Sequence, residues 1–368
     1  MLKRFHKEIE YCTYCPKLCR FSCPVGNASS NETYTPWGRQ TLLHLINEET
    51  LQFNRETAGT FYKCTTCMLC REFCDHEIEV PEVMHAARVE AVEQNLNPQE
   101  VTDFHHFFEA EKNPYGDDLA ARLRTILPSS MFNDDAQVIY FPGCAMIYNY
   151  PQTIKNTFRL FEAMDINYVA CYGAEVPCCG LPLYDMGYEK EFKENALRLQ
   201  KKLAKAKVII TGCPTCAYML KVRIPEAGVQ LTERVYHIAE FLAPLVSEGK
   251  LPIRRPYSRK LIYHDPCFLG RYLGVYDQPR KLLNEVCREP LGEFSWNRNH
   301  SYCCGAGGGI PTTNPVMALD IARERLREVY EGQKKSLVTA CPTCMRAFEK
   351  ADDKLDVLDI VDVLARCI

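Results

Sequence analysis

The sequence predicts an α/β protein with a mainly helical N-terminal region followed by a duplicated α/β region. Two tight cysteine clusters occupy the N-terminal part, and short apolar runs alternate with amphipathic segments from about residue 135. A second cysteine pattern occurs twice within that later region. Strands that alternate with helices are typical of layered α/β folds. We therefore expect three domains, covering residues 1–130, 131–250 and 251–368.

Composition excludes several classes of protein. Of 368 residues, 46% are hydrophobic and 25% are charged, which favours a globular core over disorder. The net charge is −3, whereas nucleic-acid binders usually have an excess of basic residues. No apolar run approaches the roughly 20 residues that a membrane-spanning helix needs. The charged start of the chain does not resemble a secretory signal. We expect a cytoplasmic protein that binds no nucleic acid and has no direct membrane span.

The 21 cysteines are the most unusual feature of the composition. An odd number in a chain without an export signal argues against a disulfide framework. Most of these cysteines are closely spaced, as thiols that share a metal are. The sequence therefore favours metal ligation.

The N-terminal region reads as helices joined by polar connections. The polar segment 27–32 is expected to be a loop. A proline at its first turn and apolar residues at helical spacing predict a helix over 81–94. A helix pair is expected over 104–126, interrupted near 113–116, and residues 128–130 mark a domain boundary.

The second region alternates predicted strands with predicted helices. Strands are expected at 138–141, 208–211, 261–263 and 336–339. Long amphipathic patterns predict helices over 190–205 and 316–330.

A cysteine pattern repeats in this region. The first copy has Cys144, then Cys178-Cys179-Gly180, then Cys213-Pro-Thr-Cys216; the second has Cys267, then Cys303-Cys304-Gly305, then Cys341-Pro-Thr-Cys344. Equivalent cysteines are 123 to 128 residues apart, and the segments 235–238 and 357–360 also correspond. Such a match indicates a duplicated domain. Each Cys-Pro-Thr-Cys run should open a helix at a strand end, where free N–H groups stabilise thiolates.

The N-terminal clusters have the spacing of cubane iron–sulfur sites. Cys64, Cys67, Cys70 and Cys74 match the bacterial ferredoxin run, and Cys12, Cys15, Cys19 and Cys23 form a run one residue longer. In two-cluster ferredoxins the fourth cysteine of each run ligates the other cluster. By that rule one cluster is held by Cys12, Cys15, Cys19 and Cys74, and the other by Cys64, Cys67, Cys70 and Cys23.

Two alternatives stay open for these runs. The longer first run, and Asp75 where proline is usual, leave open whether the fourth cysteines are exchanged. Structural zinc also uses paired Cys-x-x-Cys motifs, but each run here supplies four thiols by itself, which favours iron–sulfur clusters.

Each copy of the repeat supplies five cysteines, one more than a cubane needs. Adjacent cysteines such as Cys178 and Cys179 could bind neighbouring irons of an extended cluster. Gly180 and Gly305 would let the backbone approach closely.

Together these motifs resemble the catalytic iron–sulfur subunits of heterodisulfide reductase, in which a ferredoxin-like domain is fused to paired cysteine-rich (CCG) domains. The segments 264–271 and 303–309 strengthen the likeness, which covers nearly the whole chain. The iron–sulfur subunits of glycolate and anaerobic glycerol-3-phosphate oxidases are similar. The resemblance implies a helical ferredoxin-like domain and duplicated α/β CCG domains.

The resemblance also implies cofactors and a function. Two cubane [4Fe-4S] clusters would pass electrons to two noncubane [4Fe-4S] clusters, which reduce a disulfide. The noncubane ligands would be Cys144, Cys178, Cys179, Cys213 and Cys216 in one copy, and Cys267, Cys303, Cys304, Cys341 and Cys344 in the other. Completeness of both motifs favours disulfide chemistry. The partner would be a flavoprotein or another redox subunit of a complex, which could itself be associated with a membrane.

Two other functions stay open. The chain could relay electrons between a flavoprotein and another redox complex or a quinone pool, with no disulfide substrate. It could instead be a zinc scaffold for assembly.

Residues near the second repeat are further candidates. His264 and Arg271 could donate a proton or stabilise a thiolate product, or could hydrogen-bond to the cluster ligands. Asp265 is expected to be a turn or cap residue. The run 305–309 follows cysteines rather than a strand, which argues against a dinucleotide loop.

The remaining candidates are expected to be core residues. They are Cys171, Cys287, Cys367, Tyr140 and Trp37.

Overall fold

The computed structural model describes residues 2–232, 234–331 and 336–368, and its N-terminal region is helical, as the sequence predicts. Within the described residues this region has seven α-helices: α1 (His6–Tyr14), α2 (Pro24–Ser29), α3 (Pro36–Asn47), α4 (Arg55–Phe61), α5 (Val80–Glu93), α6 (Gln99–Glu111) and α7 (Leu119–Ile126). Short 3₁₀ turns lie at Lys3–Phe5, Arg20–Ser22, Glu32–Tyr34, Arg71–Phe73 and Ser129–Met131.

Two helix predictions in this region are confirmed and the predicted loop is partly wrong. Helix α5 matches 81–94, and α6 and α7 form the interrupted pair, although α6 begins five residues before 104. Part of the expected loop 27–32 belongs to α2. The Cys23 sulfur caps that helix by accepting the Gly26 N–H at 3.4 Å, and Pro24 is pre-organised for its first turn.

The first α/β unit is a four-stranded parallel sheet in the order β2-β1-β3-β4. Its strands are β1 (Val138–Tyr140), β2 (Ala170–Cys171), β3 (Val208–Thr211) and β4 (Val235–His237). Its helices are α8 (Cys144–Asn149), α9 (Pro151–Ala163), α10 (Leu181–Met186), α11 (Glu189–Lys202), α12 (Pro214–Tyr218), α13 (Ile224–Glu226) and α14 (Ile238–Ser247), with a π-helix at Met219–Arg223.

The second unit repeats this topology, with a parallel sheet in the order β6-β5-β7-β8. Its strands are β5 (Leu261–His264), β6 (Gly292–Glu293), β7 (Ser336–Thr339) and β8 (Asp356–Asp359). Its helices are α15 (Asp277–Val286), α16 (Ile310–Thr313), α17 (Pro315–Glu331), α18 (Pro342–Ala351) and α19 (Ile360–Ala365), with a π-helix at Phe268–Tyr272 and a 3₁₀ turn at Arg298–His300.

The repeat extends to register and capping. Ile139 pairs with Ile209 in the first sheet, and Ile262 pairs with Leu337 in the second. The expected correspondence of 235–238 with 357–360 is a strand that ends in a helix cap in both units. His237 Nδ1 caps α14, and an Asp359 carboxylate oxygen caps α19. The predicted α/β duplication is confirmed.

One apolar core joins the helical region and both units. It includes Val101 of α6 and Leu123 of α7, Ile139 and Ile209 of the first sheet, and Val338 of the second. The units also meet through polar contacts near the C-terminus, where the Asp362 carboxylate accepts hydrogen bonds of 2.8 Å from the side chains of α9. No helix in the described part of the chain combines the length and apolarity needed to cross a bilayer.

Candidate metal centres

The structure gathers the eight N-terminal cluster cysteines into two groups. The first group is Cys12, Cys15, Cys19 and Cys74, which line one cavity of about 470 Å³. Cys15 directly follows α1, and Lys17, with φ +67°, turns the chain so that Cys19 faces the same cavity. Cys74, which follows the 3₁₀ turn of the second run, completes the set.

The second group is more tightly enclosed. It consists of Cys23, Cys64, Cys67 and Cys70, around a cavity of about 20 Å³. Thr66 and Met68 have φ of +52° and +60°, so the chain curls between successive thiols. The buried Arg39 guanidinium lies 3.9 Å from the Cys23 sulfur.

The chemistry of these groups fits the binding of positively charged iron ions. Burial, together with neighbouring thiols including Cys74, raises the pKa of Cys19 to about 12. Burial and the adjacent thiols likewise raise the pKa of Cys70. Crowded thiols of this kind resist ionisation by themselves, and bound iron offsets the repulsion between thiolates. The two donor sets therefore suit the four-thiolate ligation of a [4Fe-4S] cluster.

The five cysteines of the first unit meet at the carboxyl edge of its sheet. They are Cys144 after β1, Cys178 and Cys179 after β2, and Cys213 and Cys216 after β3. Strands β1 and β3 are neighbours whose connections leave in opposite directions, which is the position where open α/β sheets bind ligands. All five thiols are buried.

Two glycines make room at this site. Gly143 has φ +75°, and a Cβ there would lie 2.8 Å from the Cys216 sulfur. Gly180 has φ +90°, and its N–H donates to the Cys178 sulfur at 3.5 Å. A side chain at the first position would enter the thiol cluster.

The second unit builds the same arrangement from Cys267, Cys303, Cys304, Cys341 and Cys344. The Gly305 N–H donates to the Cys303 sulfur at 3.3 Å, as Gly180 does in the first copy. The Cys304 and Cys344 sulfurs lie within 4.8 Å of each other. Cys267 is half-buried and the other four thiols are buried. The expected placement of each Cys-Pro-Thr-Cys run, between a strand and a helix, is confirmed at α12 and α18.

The second five-cysteine site lies directly against the second N-terminal thiol group. The Cys67 and Cys303 side chains belong to one buried cluster, which also contains Cys23. Tyr272 donates a 2.6 Å hydrogen bond to the carbonyl of Thr66, and Arg271 donates one of 2.6 Å to the carbonyl of Cys67.

His264 lies inside the second site. One of its ring nitrogens is within 4.8 Å of the Cys304 and Cys344 sulfurs. Nδ1 accepts a 3.3 Å hydrogen bond from Nε of the buried Arg325. Burial, followed by the Arg325 charge, lowers the pKa of His264 well below its ordinary value. The ring is therefore neutral, with its proton on Nε2.

Asp265 is not the turn or cap residue that the sequence suggested. Its carboxylate forms a bidentate pair with Arg280, with N–O distances of 2.7 and 2.8 Å, and both side chains are buried. It also accepts the Arg298 backbone N–H at 2.8 Å. The partner lies 15 residues away on α15, and local sequence contains no sign of it.

The other candidates divide between core and site. Cys171, Cys367 and Tyr140 are fully buried, as expected of core residues, whereas Cys287 is half-buried. Trp37 is not a core residue: it is half-buried, lines the 470 Å³ cavity, and has the Lys17 ammonium 3.8 Å from its ring.

The glycine run 305–309 packs on the loop of residues 64–70, the cluster loop, which carries Cys64, Cys67 and Cys70. A Cβ on Gly307 would come within 2.2 Å of the Thr65 carbonyl oxygen, and a Cβ on Gly308 would overlap that of Cys64. These glycines therefore permit close approach between the second unit and the N-terminal region.

Sequence reasoning missed the buried arginines around the sites. Arg88 is fully buried and donates to the carbonyls of Phe61, Cys64, Asp185 and Gly308 at 2.8 to 3.2 Å. An isolated arginine in a helix has no local pattern that distinguishes this role from a solvent-exposed one.

Comparisons with known proteins agree with this architecture. A 4Fe-4S dicluster domain model matches residues 8–78, and a CCG cysteine-rich domain model matches residues 138–221 and 261–349. One subunit of the dihydromethanophenazine:CoB–CoM heterodisulfide reductase from Methanosarcina barkeri is 31% identical over 83% of this chain and 77% of the relative. One subunit of the fumarate reductase (CoM/CoB) from Methanothermobacter marburgensis is 27% identical over 97% of this chain and 72% of the relative.

A solved structure shares the fold. A hypothetical protein from Helicobacter pylori superposes with a TM-score of 0.53 at 10% identity, covering all of this chain and 75% of the other. On the two matching domain models and the relative with 31% identity, the chain belongs to the family of iron–sulfur proteins that includes this heterodisulfide reductase subunit.

Proposed function

We propose that this chain is the catalytic iron–sulfur subunit of an oxidoreductase complex that reduces a small disulfide. An electron-transfer role follows from the family, and the disulfide is the proposed part. The observation that carries the proposal is the completeness of both five-cysteine sites, each buried at the carboxyl edge of its own sheet. A chain that only relays electrons has no need for two such sites.

The proposal includes the domain division and the cofactors. Residues 1–130 would hold two cubane clusters, and 131–250 and 251–368 would each hold one noncubane cluster. The grouping of Cys74 with the first run and of Cys23 with the second supports the exchanged ligand sets. The five thiols of each α/β unit would hold the noncubane clusters.

The overall reaction is R–S–S–R′ + 2 e⁻ + 2 H⁺ → R–SH + R′–SH. Bound clusters would supply the two electrons and iron positions that accept sulfur. The chain's own contribution is to keep the ligand thiolates buried and fixed. The Gly180 and Gly305 N–H groups donate to the first cysteine of each adjacent pair, and such donation stabilises a thiolate.

His264 would position ligands rather than deliver a proton. Its neutral ring accepts the Arg325 hydrogen bond at Nδ1 and carries its own N–H on Nε2, and one ring nitrogen lies within 4.8 Å of the Cys304 and Cys344 sulfurs. A hydrogen bond from this group would stabilise negative charge on those sulfurs.

The electrons would come from a redox partner. The relatives named above are subunits of larger enzymes, and the resemblance makes a flavoprotein the expected partner. The cavity of the first thiol group is the more open of the two and is bordered by the exposed side chains of Tyr11, Tyr14 and Leu18. This face is suited to receive electrons from another protein.

Electron paramagnetic resonance of the anaerobically purified protein tests the proposal. The oxidised protein with added thiol should show a paramagnetic signal that is absent without thiol. Cys178→Ala and Cys303→Ala should lose it. Cys171→Ala, which removes a buried thiol outside the sites, is the matched control and should keep it.

Three results would contradict the proposal. A spectrum indifferent to thiol would favour a relay without a disulfide substrate. Iron well below the roughly sixteen atoms per chain expected for four four-iron clusters would contradict the cofactor assignment. Zinc in place of iron, in a colourless protein, would favour a scaffold.

A further inference from the structure

Arg271 lies at the contact between the second N-terminal thiol group and the second five-cysteine site. It belongs to the π-helix that begins just after Cys267, and it is 7% exposed. Its Nε donates to the Cys67 carbonyl at 2.6 Å, and its Nη1 donates to the carbonyls of Asn299 at 3.0 Å and Ser301 at 2.7 Å. The guanidinium is thus held from both sides of the interface.

One end of this guanidinium has no partner. Its Nη2 is buried and makes no hydrogen bond with any group in the part of the chain that the structure describes. The cysteines whose charge would act most strongly on Arg271 are Cys67, Cys267 and Cys303, which belong to the two adjoining sites. Burying a charged N–H donor without a partner costs free energy. A cysteine sulfur or the negative charge of a bound cluster, lying in front of this N–H, would offset that cost.

Carboxylates do not neutralise this charge. Within the described chain, Arg271 appears in none of the ion pairs, whereas Asp265 is held by Arg280, and Arg71 is paired with Glu72 and Glu79. In a site removed from water, an uncompensated positive charge favours each added electron on its neighbours.

Neighbouring contacts keep the two sites at a fixed separation. Tyr272, next on the same π-helix, bonds to the Thr66 carbonyl, and Gly307 packs on Thr65. Arg271 is therefore not needed to hold the interface together by itself.

We infer that Arg271 is a positioning residue for electron transfer, whose buried charge raises the reduction potentials of the second cubane site and the second noncubane site together. An electron passed between the two sites would oxidise the bound cubane cluster by one electron and reduce the bound noncubane cluster by one electron. No covalent bond forms or breaks, and no proton moves. The first electron is supplied by the reduced redox partner, or by dithionite in the test. The inference rests on the cofactors of the proposed function but not on its disulfide.

Potentiometric titration of the iron-loaded protein, followed by electron paramagnetic resonance without thiol, tests this role. Arg271→Gln removes the charge and should make one-electron reduction of both adjoining sites about tenfold less favourable, which is a fall of about 59 mV in each reduction potential. Arg271→Lys keeps the charge and should stay within about threefold of wild type. Arg298→Gln, an exposed arginine paired with Asp277, is the matched control and should also stay within about threefold.

Each result decides the inference. An iron-loaded Arg271→Gln protein that titrates within about threefold of wild type overturns it. If Arg271→Gln fails to hold iron, the lysine variant decides. An Arg271→Lys protein with the iron content and reduction potentials of wild type would support a requirement for positive charge at this position. A lysine variant that also fails to hold iron overturns the inference, because the carbonyl contacts, rather than the charge, would then be what the residue supplies.

The titration also separates this inference from the proposed function. The titration is done without thiol, so its outcome does not depend on disulfide chemistry. If the separate thiol-dependent signal were missing, the disulfide chemistry would be contradicted, but the potentials of the arginine variants would still test the role of Arg271. Conversely, unchanged potentials in Arg271→Gln would leave a thiol-dependent signal intact.

Discussion

Asp265 and Arg280 form a buried ion pair beneath the second five-cysteine site. The pair makes two hydrogen bonds, and Asp265 also fixes the backbone at Arg298. Removing one partner of such a pair leaves an uncompensated buried charge. We expect Asp265→Asn to lower the free energy of unfolding by about 3 kcal/mol. This is at the low end of the range for a broken buried pair, because Arg280 would keep its ion pair with Glu293.

Anaerobic urea denaturation measures this effect. Asp277→Asn removes an exposed carboxylate paired with Arg298 and should cost less than about 1 kcal/mol. A loss below about 1 kcal/mol in Asp265→Asn as well would show that the buried pair does not stabilise the fold.

His85 gives the stability of the protein a component that depends on pH. It is buried between α5 and α10, stacked on Tyr184 with ring centroids 3.6 Å apart, and its Nδ1 lies 3.0 Å from the Tyr184 carbonyl oxygen. Burial, then the Arg88 charge, lowers its pKa to about 3. The folded state keeps the ring neutral, so its stabilising contribution is present above the unfolded pKa of about 6.5 and is lost as pH falls towards 3.

The expected result is a difference between variants in the pH window just below 6.5. Between pH 7 and 5.5 the wild-type free energy of unfolding should fall by about 1 kcal/mol more than that of His85→Gln. His6→Gln, at an exposed histidine near Glu10, should follow wild type. Identical pH profiles for wild type and His85→Gln in anaerobic urea denaturation would show that His85 is not buried in neutral form.

At the scale of residues, the cysteines were predictable and their surroundings were not. The cluster cysteines, such as Cys64 and Cys67, recur at short spacings, as the cysteine ligands of iron–sulfur clusters do. Arg39, Arg88 and Asp265 become recognisable only when their partners, distant in the chain, are in place. Cys23 contributes to its site from another run, which the ferredoxin rule anticipates and local spacing does not.

Among elements, the glycine run 305–309 determines how closely the second unit approaches the cluster loop. Gly308 has φ +63°, and a Cβ there would overlap the Cys64 carbonyl oxygen. Gly274 has φ +71° but no atom within 4 Å of its Cβ position, so alanine there incurs the conformational cost alone. This makes Gly274→Ala a matched control for Gly308→Ala.

We expect Gly274→Ala to cost about 1 kcal/mol and Gly308→Ala at least about 2 kcal/mol more, because the added Cβ would overlap backbone atoms of Cys64, which cannot rotate away as a side chain can. Gly308→Ala should also lose iron faster from the second N-terminal group. Thermal unfolding and iron release to a chelator measure the two effects. Equal costs for the two variants would mean that the glycine run does not pack on the loop.

Strand prediction succeeded at the centre of each sheet and failed at its edges. The four predicted runs are β1, β3, β5 and β7, the two inner strands of each sheet. Inner strands of a parallel sheet are covered on both faces and appear in sequence as continuous apolar runs. The edge strands β2 and β6 have only two residues each, and their pairing depends on tertiary context rather than on local pattern.

On the scale of the whole molecule, Arg88 joins all three regions. It extends from α5 to carbonyls of α4 and the cluster loop, of Asp185 in the first unit and of Gly308 in the second. Burial also raises the pKa of the Asp185 carboxyl to about 6. Since one apolar core also spans these regions, the described protein should unfold as one cooperative unit.

Arg88→Met should weaken that cooperativity. The substitution keeps an unbranched apolar stem but leaves four buried carbonyls without their donor, which should lower the free energy of unfolding by at least about 3 kcal/mol. Arg55→Met, at an exposed arginine that makes one hydrogen bond to the Asn95 carbonyl, should stay within about 1 kcal/mol of wild type. Hydrogen exchange in Arg88→Met should increase together in 61–64, 185–187 and 305–309, the segments that meet around the guanidinium. If exchange rises only near residue 88 and unfolding keeps its wild-type midpoint, the apolar core alone joins the three regions, and Arg88 merely fills a space between them.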